Sequence, residues 1–337
     1  MKRLFLPLAA ALALQAQLPG KAEASPNAAV QDENTDTEYL PDDKVNADPD
    51  IVDLRQDEQE RAAIPRRIMK TRYPIVFVHG FMGWDEILNV DYFYQVRRTL
   101  EQAGYEVYTP VVNPINSIEV RSRQLAPQLD AIFAKTGAEK INIIAHSMGG
   151  MDARYLIANG YGSRVASLTT IGTPHHGTPV PSLIFRVLGK GDNILYKAFE
   201  YIVCGLIGKG KTKPSELDLR ATLWNLSEDF MANWFNPRMV DDPNIYYQSY
   251  AGVSSITGWS TGDRLDPLLL PFQPAFHHGQ RNDGLVPEES AKWGRFRGTV
   301  SADHINLIGQ LLGNTSPRYR HLAFYQKLAD ELVDMGF

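Results

Sequence analysis

Residues 141–144, Ile-Asn-Ile-Ile, run into Ala145-His146-Ser147-Met148-Gly149-Gly150 and then into a helix-like stretch from Met151 to Asn159. The pattern predicts a buried strand, a sharp turn carrying a serine, and a helix. A serine on such a turn sits on strained backbone with its hydroxyl lifted above the sheet, ready to attack. Small residues two before it (Ala145) and two after it (Gly149) let the strand and helix backbones approach closely. Met148 falls where a helix begins and an N–H lacks an intrahelical acceptor, so that group can serve an oxygen that turns negative. Alanine stands where the usual Gly-x-Ser-x-Gly pattern has its first glycine, a small departure. Serine between small residues also occurs in plain turns, but the flanking strand and helix favour the chemical reading.

The rest of the chain supplies a frame for that turn. Tyr73-Pro74-Ile75-Val76-Phe77-Val78 reads as a buried strand ending in His79-Gly80-Phe81. A helix over 93–103 stops at Gly104, and a second strand covers 107–112. Asn116-x-x-Glu119 makes a capping-box-like start for a helix to about Lys135. The helix after Ser147 stops at Gly160, and a strand over 165–171 closes on Gly172-Thr173-Pro174. Strands alternating with helices of this length predict an α/β fold with a mostly parallel sheet covered on both faces. Active sites in such sheets lie beyond the carboxyl ends of the strands, where His79, Ser147 and Thr173 all fall.

A serine hydroxyl is a weak nucleophile until a histidine takes its proton and a carboxylate orients that histidine. On this type of frame the chain order is serine, acid, histidine. His79 and His146 come too early, as do His175 and His176; His277 and His278 precede the best acid. His321 lies in a C-terminal helix, where a surface role is expected. His304 remains, just before the apolar run 305–312. The acid is Asp283 in Asn282-Asp283-Gly284, with Asp263 and Asp266 as competitors; Asp303, adjacent to His304, would point away from its ring. A second N–H for the oxyanion is expected from Phe81, paired with Met148.

The ends of the chain are of different material. Lys2-Arg3, the apolar run 4–14 and Ala22-Glu23-Ala24 have the form of a signal peptide cleaved near Ala24, which predicts a secreted protein, extracellular or periplasmic. No later apolar run is long enough to span a bilayer. Residues 1–60 hold 13 acidic residues against 5 Lys and Arg, and the remainder 26 against 29. The acidity therefore belongs to a leader over 25–65, expected to be disordered, and the body 66–337 is nearly neutral, which argues against nucleic-acid binding. Cys204 is the only cysteine of the 337 residues, so no intramolecular disulfide can form and the hydrophobic core must carry the fold.

Between 178 and 226 the alternation stops. Leu195, Ala198, Phe199, Ile202, Val203 and Leu206 form an apolar stripe at helical spacing. Gly189 and Gly191 precede it; Gly205, Gly208 and Gly210 follow, with Lys190, Lys209, Lys211 and Lys213 alongside. A stripe of this kind is most often a core face. Its place after the serine and the flanking glycines favour a helical lid covering Ser147.

With these segments assembled, the chain resembles the bacterial true lipases, secreted triacylglycerol lipases of the α/β-hydrolase superfamily. The likeness rests on Arg72-Tyr73-Pro74-Ile75, Val78-His79-Gly80-Phe81, the run 137–142 into the serine turn, Thr169-Thr170-Ile171-Gly172-Thr173-Pro174-His175-His176-Gly177, Asn282-Asp283-Gly284-Leu285-Val286, and His304 followed by Gln310-Leu311-Leu312-Gly313. It implies an α/β-hydrolase fold, Ser147, Asp283 and His304 as triad, Phe81 and Met148 as oxyanion donors, and an acylglycerol substrate met at a lipid–water interface. A phospholipase, acyltransferase or polyester hydrolase would use the same triad, and a silent hydrolase fold that only binds lipid is the rival from another class. A folding helper is a further partner the family implies. The chemistry requires no cofactor. Relatives hold a structural calcium through an aspartate two residues after the histidine and another before the acid loop; Asp266 matches the second, but Asn306 replaces the first, so a calcium site is left open.

Overall fold

The structure is a computed structural model and describes residues 51–52, 70–83, 86–87, 90–189, 194–207, 214–310 and 312–337. The signal peptide and almost all of the acidic leader lie outside the described residues, as do Lys190, Gly191 and 208–213.

Strand β1 is Ile75–Val78, a four-residue apolar run buried on both faces. A two-stranded antiparallel ribbon follows, β2 (Glu86–Ile87) and β3 (Val90–Asp91). Then come α1 (Val96–Gln102), β4 (Val107–Tyr108) and α2 (Ile118–Thr136). Ser117 rather than Asn116 caps α2, its side chain accepting from Val120 N–H, while the amide of Asn225 receives the Ile118 N–H on its oxygen. Strand β5 (Ile141–His146) enters α3 (Met148–Leu156) through Ser147 alone, so the helix starts three residues earlier than its apolar periodicity shows. Strand β6 is Val165–Ile171, with the bounds read from the sequence.

Helices α4 (Val180–Leu188), α5 (Ile194–Ile207) and α6 (Leu219–Leu226) fill the interval where alternation stops. Strands β7 (Tyr246–Gly252) and β8 (Arg295–Val300) and helix α7 (His321–Asp334) complete the fold. The apolar run after His304 is not a long helix. It holds one 3-10 turn, Asn306–Ile308, ended by Gly309 at φ 74°.

Every neighbour pair in the main sheet is parallel, in the order β4-β1-β5-β6-β7-β8. Alternation along β1 serves both faces. Ile75 and Phe77 join a core with α1 and α7, through Leu100, Tyr325 and Leu328. Val76 and Val78 join another with α2 and α3, through Leu125, Leu129 and Ala153. The sheet is thus a buried middle layer, and the polar groups of its loops converge at the carboxyl ends of β1, β5, β6 and β7.

Helix α5 lies in the apolar stretch expected for a lid, but its buried face is rotated from the predicted stripe. Tyr196, Phe199, Val203 and Cys204 are buried, while Leu195 and Ala198 face outward. Tyr196 carries the difference, since an aromatic ring with one polar atom packs as well as leucine. The buried face meets Val180, Ile184 and Leu188 of α4, Leu219 and Leu223 of α6, and the ring of Phe81.

Candidate active site

Ser147 has φ 55° and ψ −131°, a backbone region that L-residues rarely occupy. Its surroundings enforce that conformation. Ser147 N–H donates to Ile171 O at 3.0 Å, and its carbonyl accepts from Thr173 Oγ1 at 2.8 Å. A Cβ on Gly149 would stand 2.5 Å from Val78 O and 2.7 Å from His79 O, so glycine there is a packing requirement. The short side chain lets α3 begin against the end of β1, which is what lifts the serine.

The three residues chosen for the triad come together from segments far apart in sequence. Ser147 Oγ donates to His304 Nε2 at 2.8 Å, and His304 Nδ1–H donates to Asp283 Oδ2 at 2.7 Å. Asp283 is fixed in turn. Its Oδ1 accepts from the N–H groups of Leu285 (3.0 Å) and Val286 (2.7 Å), and its carbonyl accepts from His304 N–H at 2.7 Å. Asn282-Asp283-Gly284 is indeed a turn, one that turns the carboxylate toward the ring. All three residues are buried, with Asp283 at 1% exposure, so the acid–imidazole bond lies out of bulk water, where it is strongest. Gly172, at φ 58°, keeps the space beside this pair open, since a Cβ there would lie 3.2 Å from Asp283 Oδ2.

Met148 is the first residue of α3, where an N–H has no intrahelical acceptor. Phe81 lies on the loop after β1, and the groups on either side of it are pinned. Gly80 N–H donates to Tyr92 Oη at 3.1 Å, and Met82 N–H donates to Pro114 O at 2.8 Å. A Cβ on Gly80 would approach Ser147 Cβ to 2.7 Å, so this loop rests directly against Ser147.

Two groups that hold the loop were not singled out in the sequence. Arg121, fully buried on α2, donates to His79 O (2.8 Å), Gly80 O (3.3 Å), Asn113 O (2.5 Å) and Asp152 Oδ2 (2.9 Å from Nε). Burial pushes the Asp152 carboxyl up to about 6 even though the Arg121 charge opposes the shift. Tyr92 Oη, besides accepting from Gly80, lies 2.8 Å from His146 Nδ1, and the His146 ring packs on that of His304 at 4.6 Å between centroids. A signal for Arg121 was present: it falls on the stripe Ile118, Leu125, Leu129, Ile132, where a cation needs a buried partner.

The other histidines have structural duties. Burial, helped by the Arg121 charge, drives His79 down to about 3, so it stays neutral and accepts the Val112 N–H on Nε2 at 3.1 Å. His175 stacks on Trp293 and bonds Thr170 Oγ1 at 2.9 Å. His321 is buried rather than at the surface, with Nε2 3.0 Å from Tyr94 O. His277 and His278 are exposed. Of the competing acids, Asp303 uses both carboxylate oxygens on N–H groups of Asp266, Ile305 and Asn306, away from the His304 ring as expected. Asp263 is buried near Asp303, and neither it nor Asp266 bonds the imidazole among the described contacts.

Comparison with known proteins agrees with this frame. Residues 73–294 match the family described as the alpha/beta hydrolase fold. A triacylglycerol lipase of Vibrio cholerae is 31% identical over 288 residues, covering 79% of this chain and 89% of the relative. A triacylglycerol lipase of Pseudomonas fragi is 28% identical, covering 80% and 98%. Among solved structures, Staphylococcus hyicus lipase superposes with a TM-score of 0.59 at 21% identity, covering 80% of this chain and 97% of that one, which speaks to the fold. The chain belongs to the α/β-hydrolase fold family, among its bacterial lipases.

Proposed function

We propose that the protein is a secreted triacylglycerol lipase that works through an acyl-enzyme on Ser147. The continuous bond chain Ser147–His304–Asp283, beside the Phe81 and Met148 N–H groups, carries this reading. His304 takes the serine proton as Oγ attacks the ester carbonyl, and Asp283 steadies the imidazolium that forms. The carbonyl oxygen turns negative between the two N–H groups, each worth about 2.7–4 kcal/mol of transition-state stabilisation in comparable sites. His304 then gives its proton to the departing alcohol and takes one from the water that frees the fatty acid. No step needs a metal or organic cofactor.

The substrate class comes from the relatives' names and from the cap. Helix α5 is apolar on two sides: its inner side packs toward Phe81, while Ile194 (82% exposed), Leu195 and Tyr201 (81%) face outward. An outer face of that kind suits contact with fat, and the inner face would join it when the cap opens. Among the described residues no helix is long and apolar enough to cross a membrane, so contact with lipid would be made from the surface. Cleavage near Ala24 would place the mature protein outside the cytoplasm, with Ser25 at its N-terminus.

A hydrolysis panel tests the reading. Purified protein should release fatty acid from long-chain triacylglycerol, and an organophosphonate should stop it by a single adduct on Ser147. Preference for phospholipid or polyester over triacylglycerol would reassign the substrate and keep the chemistry. Absence of both turnover and adduct would leave a lipid-binding fold.

A further inference from the structure

His146 ends β5 next to Ser147, yet neither of its ring nitrogens enters the Ser147–His304–Asp283 bonds. It is 1% exposed, and an imidazole shut away from water costs free energy unless it is hydrogen-bonded. Nδ1 meets that need: it lies 2.8 Å from Tyr92 Oη, and the same oxygen accepts the Gly80 N–H at 3.1 Å. Nε2 has no hydrogen-bond partner among the described residues. A phenol that accepts an N–H still has its own proton to give, and the Nδ1 of a neutral imidazole can receive it. Both groups are held in the forms this bond requires. Burial and the charge of the neighbouring His304 keep His146 well below the usual histidine range, and burial pushes the Tyr92 phenol up. The Tyr92 backbone is fixed as well, because Gln310 Nε2 donates to its carbonyl at 3.1 Å and to Asp91 O at 2.6 Å. The His146 ring also packs on that of His304, 4.6 Å between centroids.

We infer, on the reading of Ser147 as nucleophile and Phe81 as oxyanion donor, that His146 is a positioning residue. By anchoring the Tyr92 hydroxyl it fixes the Gly80–Phe81 backbone, so that the Phe81 N–H stands ready for the oxyanion before the reaction begins. Such a donor is worth most when it needs no rearrangement as the charge appears. The loop has little other freedom. A Cβ on Gly80 would lie 2.9 Å from Tyr92 Oη and 3.0 Å from His146 O, so hydroxyl, strand end and turn are packed as one unit. A ring that served only to fill space beside His304 would need no nitrogen at this position. Acceptor and ring are therefore separable by substitution.

Kinetics of the full mature protein on a small soluble ester separate the two roles. Asparagine sets its Oδ1 near the place of histidine Nδ1, so His146→Asn keeps an acceptor for Tyr92 while losing the ring. His146→Phe keeps a ring against His304 and loses the acceptor. His146→Phe and Tyr92→Phe should each lower kcat by about 10–100-fold with KM nearly unchanged, because the lost contact serves the transition state and not substrate binding. His146→Asn should recover most of that kcat. Joining Tyr92→Phe to His146→Phe should cost little more than either alone, since both break the same bond. If His146→Phe does not fold, Tyr92→Phe removes that bond from the other side and its kcat decides. Wild-type kcat in Tyr92→Phe, or His146→Phe at least as active as His146→Asn, would overturn the inference and leave the lipase reading intact. A wild type that turns over no ester and takes no organophosphonate on Ser147 would strike both.

Discussion

At Ser147 a strained backbone coincides with the proposed nucleophile, and substitution separates the two. Ser147→Ala keeps every backbone bond that holds the turn, so it should fold normally and lose several orders of magnitude in ester hydrolysis. His304→Ala should be comparably severe, because the serine then has no base. Asp283→Asn should retain more activity than either, since the imidazole keeps its place but loses the charge that steadies it. Near-normal turnover in Asp283→Asn, measured on a soluble ester, would move the acid to Asp263 or Asp266. A second residue-scale effect concerns pH. Burial, reinforced by the nearby Asp303 charge, pushes the Asp263 carboxyl up to about 8. The folded protein thus holds a proton that the unfolded chain gives up near pH 4. The stabilisation from this group is complete below that value and is lost as pH rises through 8. The stability difference between wild type and Asp263→Asn, taken from urea unfolding, should therefore shift against the wild type between pH 5 and 8. A difference that stays flat over that range would mean Asp263 is ionised in the folded state.

At the scale of elements, what the sequence discloses depends on whether a segment's pattern is set by one environment. Strands β1, β5 and β6 are buried on both faces; β1 is an unbroken apolar run, and β5 and β6 carry enough Ile, Val, Leu and β-branched Thr around Asn142, His146 and Ser167 to read as strands. Strand β7 is as central, yet Gln248 and Ser249 interrupt it. Gln248 Nε2 donates to Thr169 Oγ1 and Ser249 Oγ to Trp293 O, and such tertiary partners cannot be inferred from Tyr-Tyr-Gln-Ser-Tyr-Ala-Gly alone. The run after His304 misleads in the opposite sense. It is apolar at helical spacing, but a Cβ at Gly309 would sit 2.3 Å from the His321 ring, and the left-handed glycine ends the turn. The hydrogen-bonded trio Ser147, His304 and Asp283 was legible because chain order and residue type leave few choices, whereas Arg121 and Tyr92 act on backbone atoms of the loop after β1 and leave no motif.

Helix α5 offers a test on the same scale. If it opens at an oil surface, activity on a triacylglycerol should jump as substrate passes its solubility limit. Burying an apolar helix face is worth several kcal/mol at roughly 25 cal/mol per Å², enough to invert a two-state equilibrium. Tyr201→Asp, on the exposed face, should preserve folding and hydrolysis of a small soluble ester while weakening the jump. Phe199→Asp should weaken it too, at some cost in stability because that ring is buried. A smooth rise through saturation, with Tyr201→Asp indistinguishable from wild type, would make α5 a fixed part of the core.

For the whole molecule the question is how far the acidic leader is independent of the catalytic body. Its composition predicts that it buries little, and most of it lies outside the described residues. Two of its residues are described, and they touch the body. Ile51 bridges Thr299 in parallel register, and Val52 N–H donates to Thr299 O at 2.8 Å, along the open edge of β8. A Cβ on Gly298, at φ 137°, would stand 2.6 Å from Val52, so this edge is shaped to receive the segment. An unpaired strand edge also invites pairing with another chain, which a short covering segment hinders. Truncation should therefore have a threshold. Deleting residues 25–48 should leave the melting temperature unchanged, because it removes charge and little apolar surface. Deleting 25–54 also removes one backbone bond, worth about 0.5–1.5 kcal/mol, and two half-buried apolar side chains. The midpoint should fall by about 2–6 °C for a body of this size, with more aggregation on heating. Equal midpoints for the two truncations would show that the leader leaves the β8 edge open in solution.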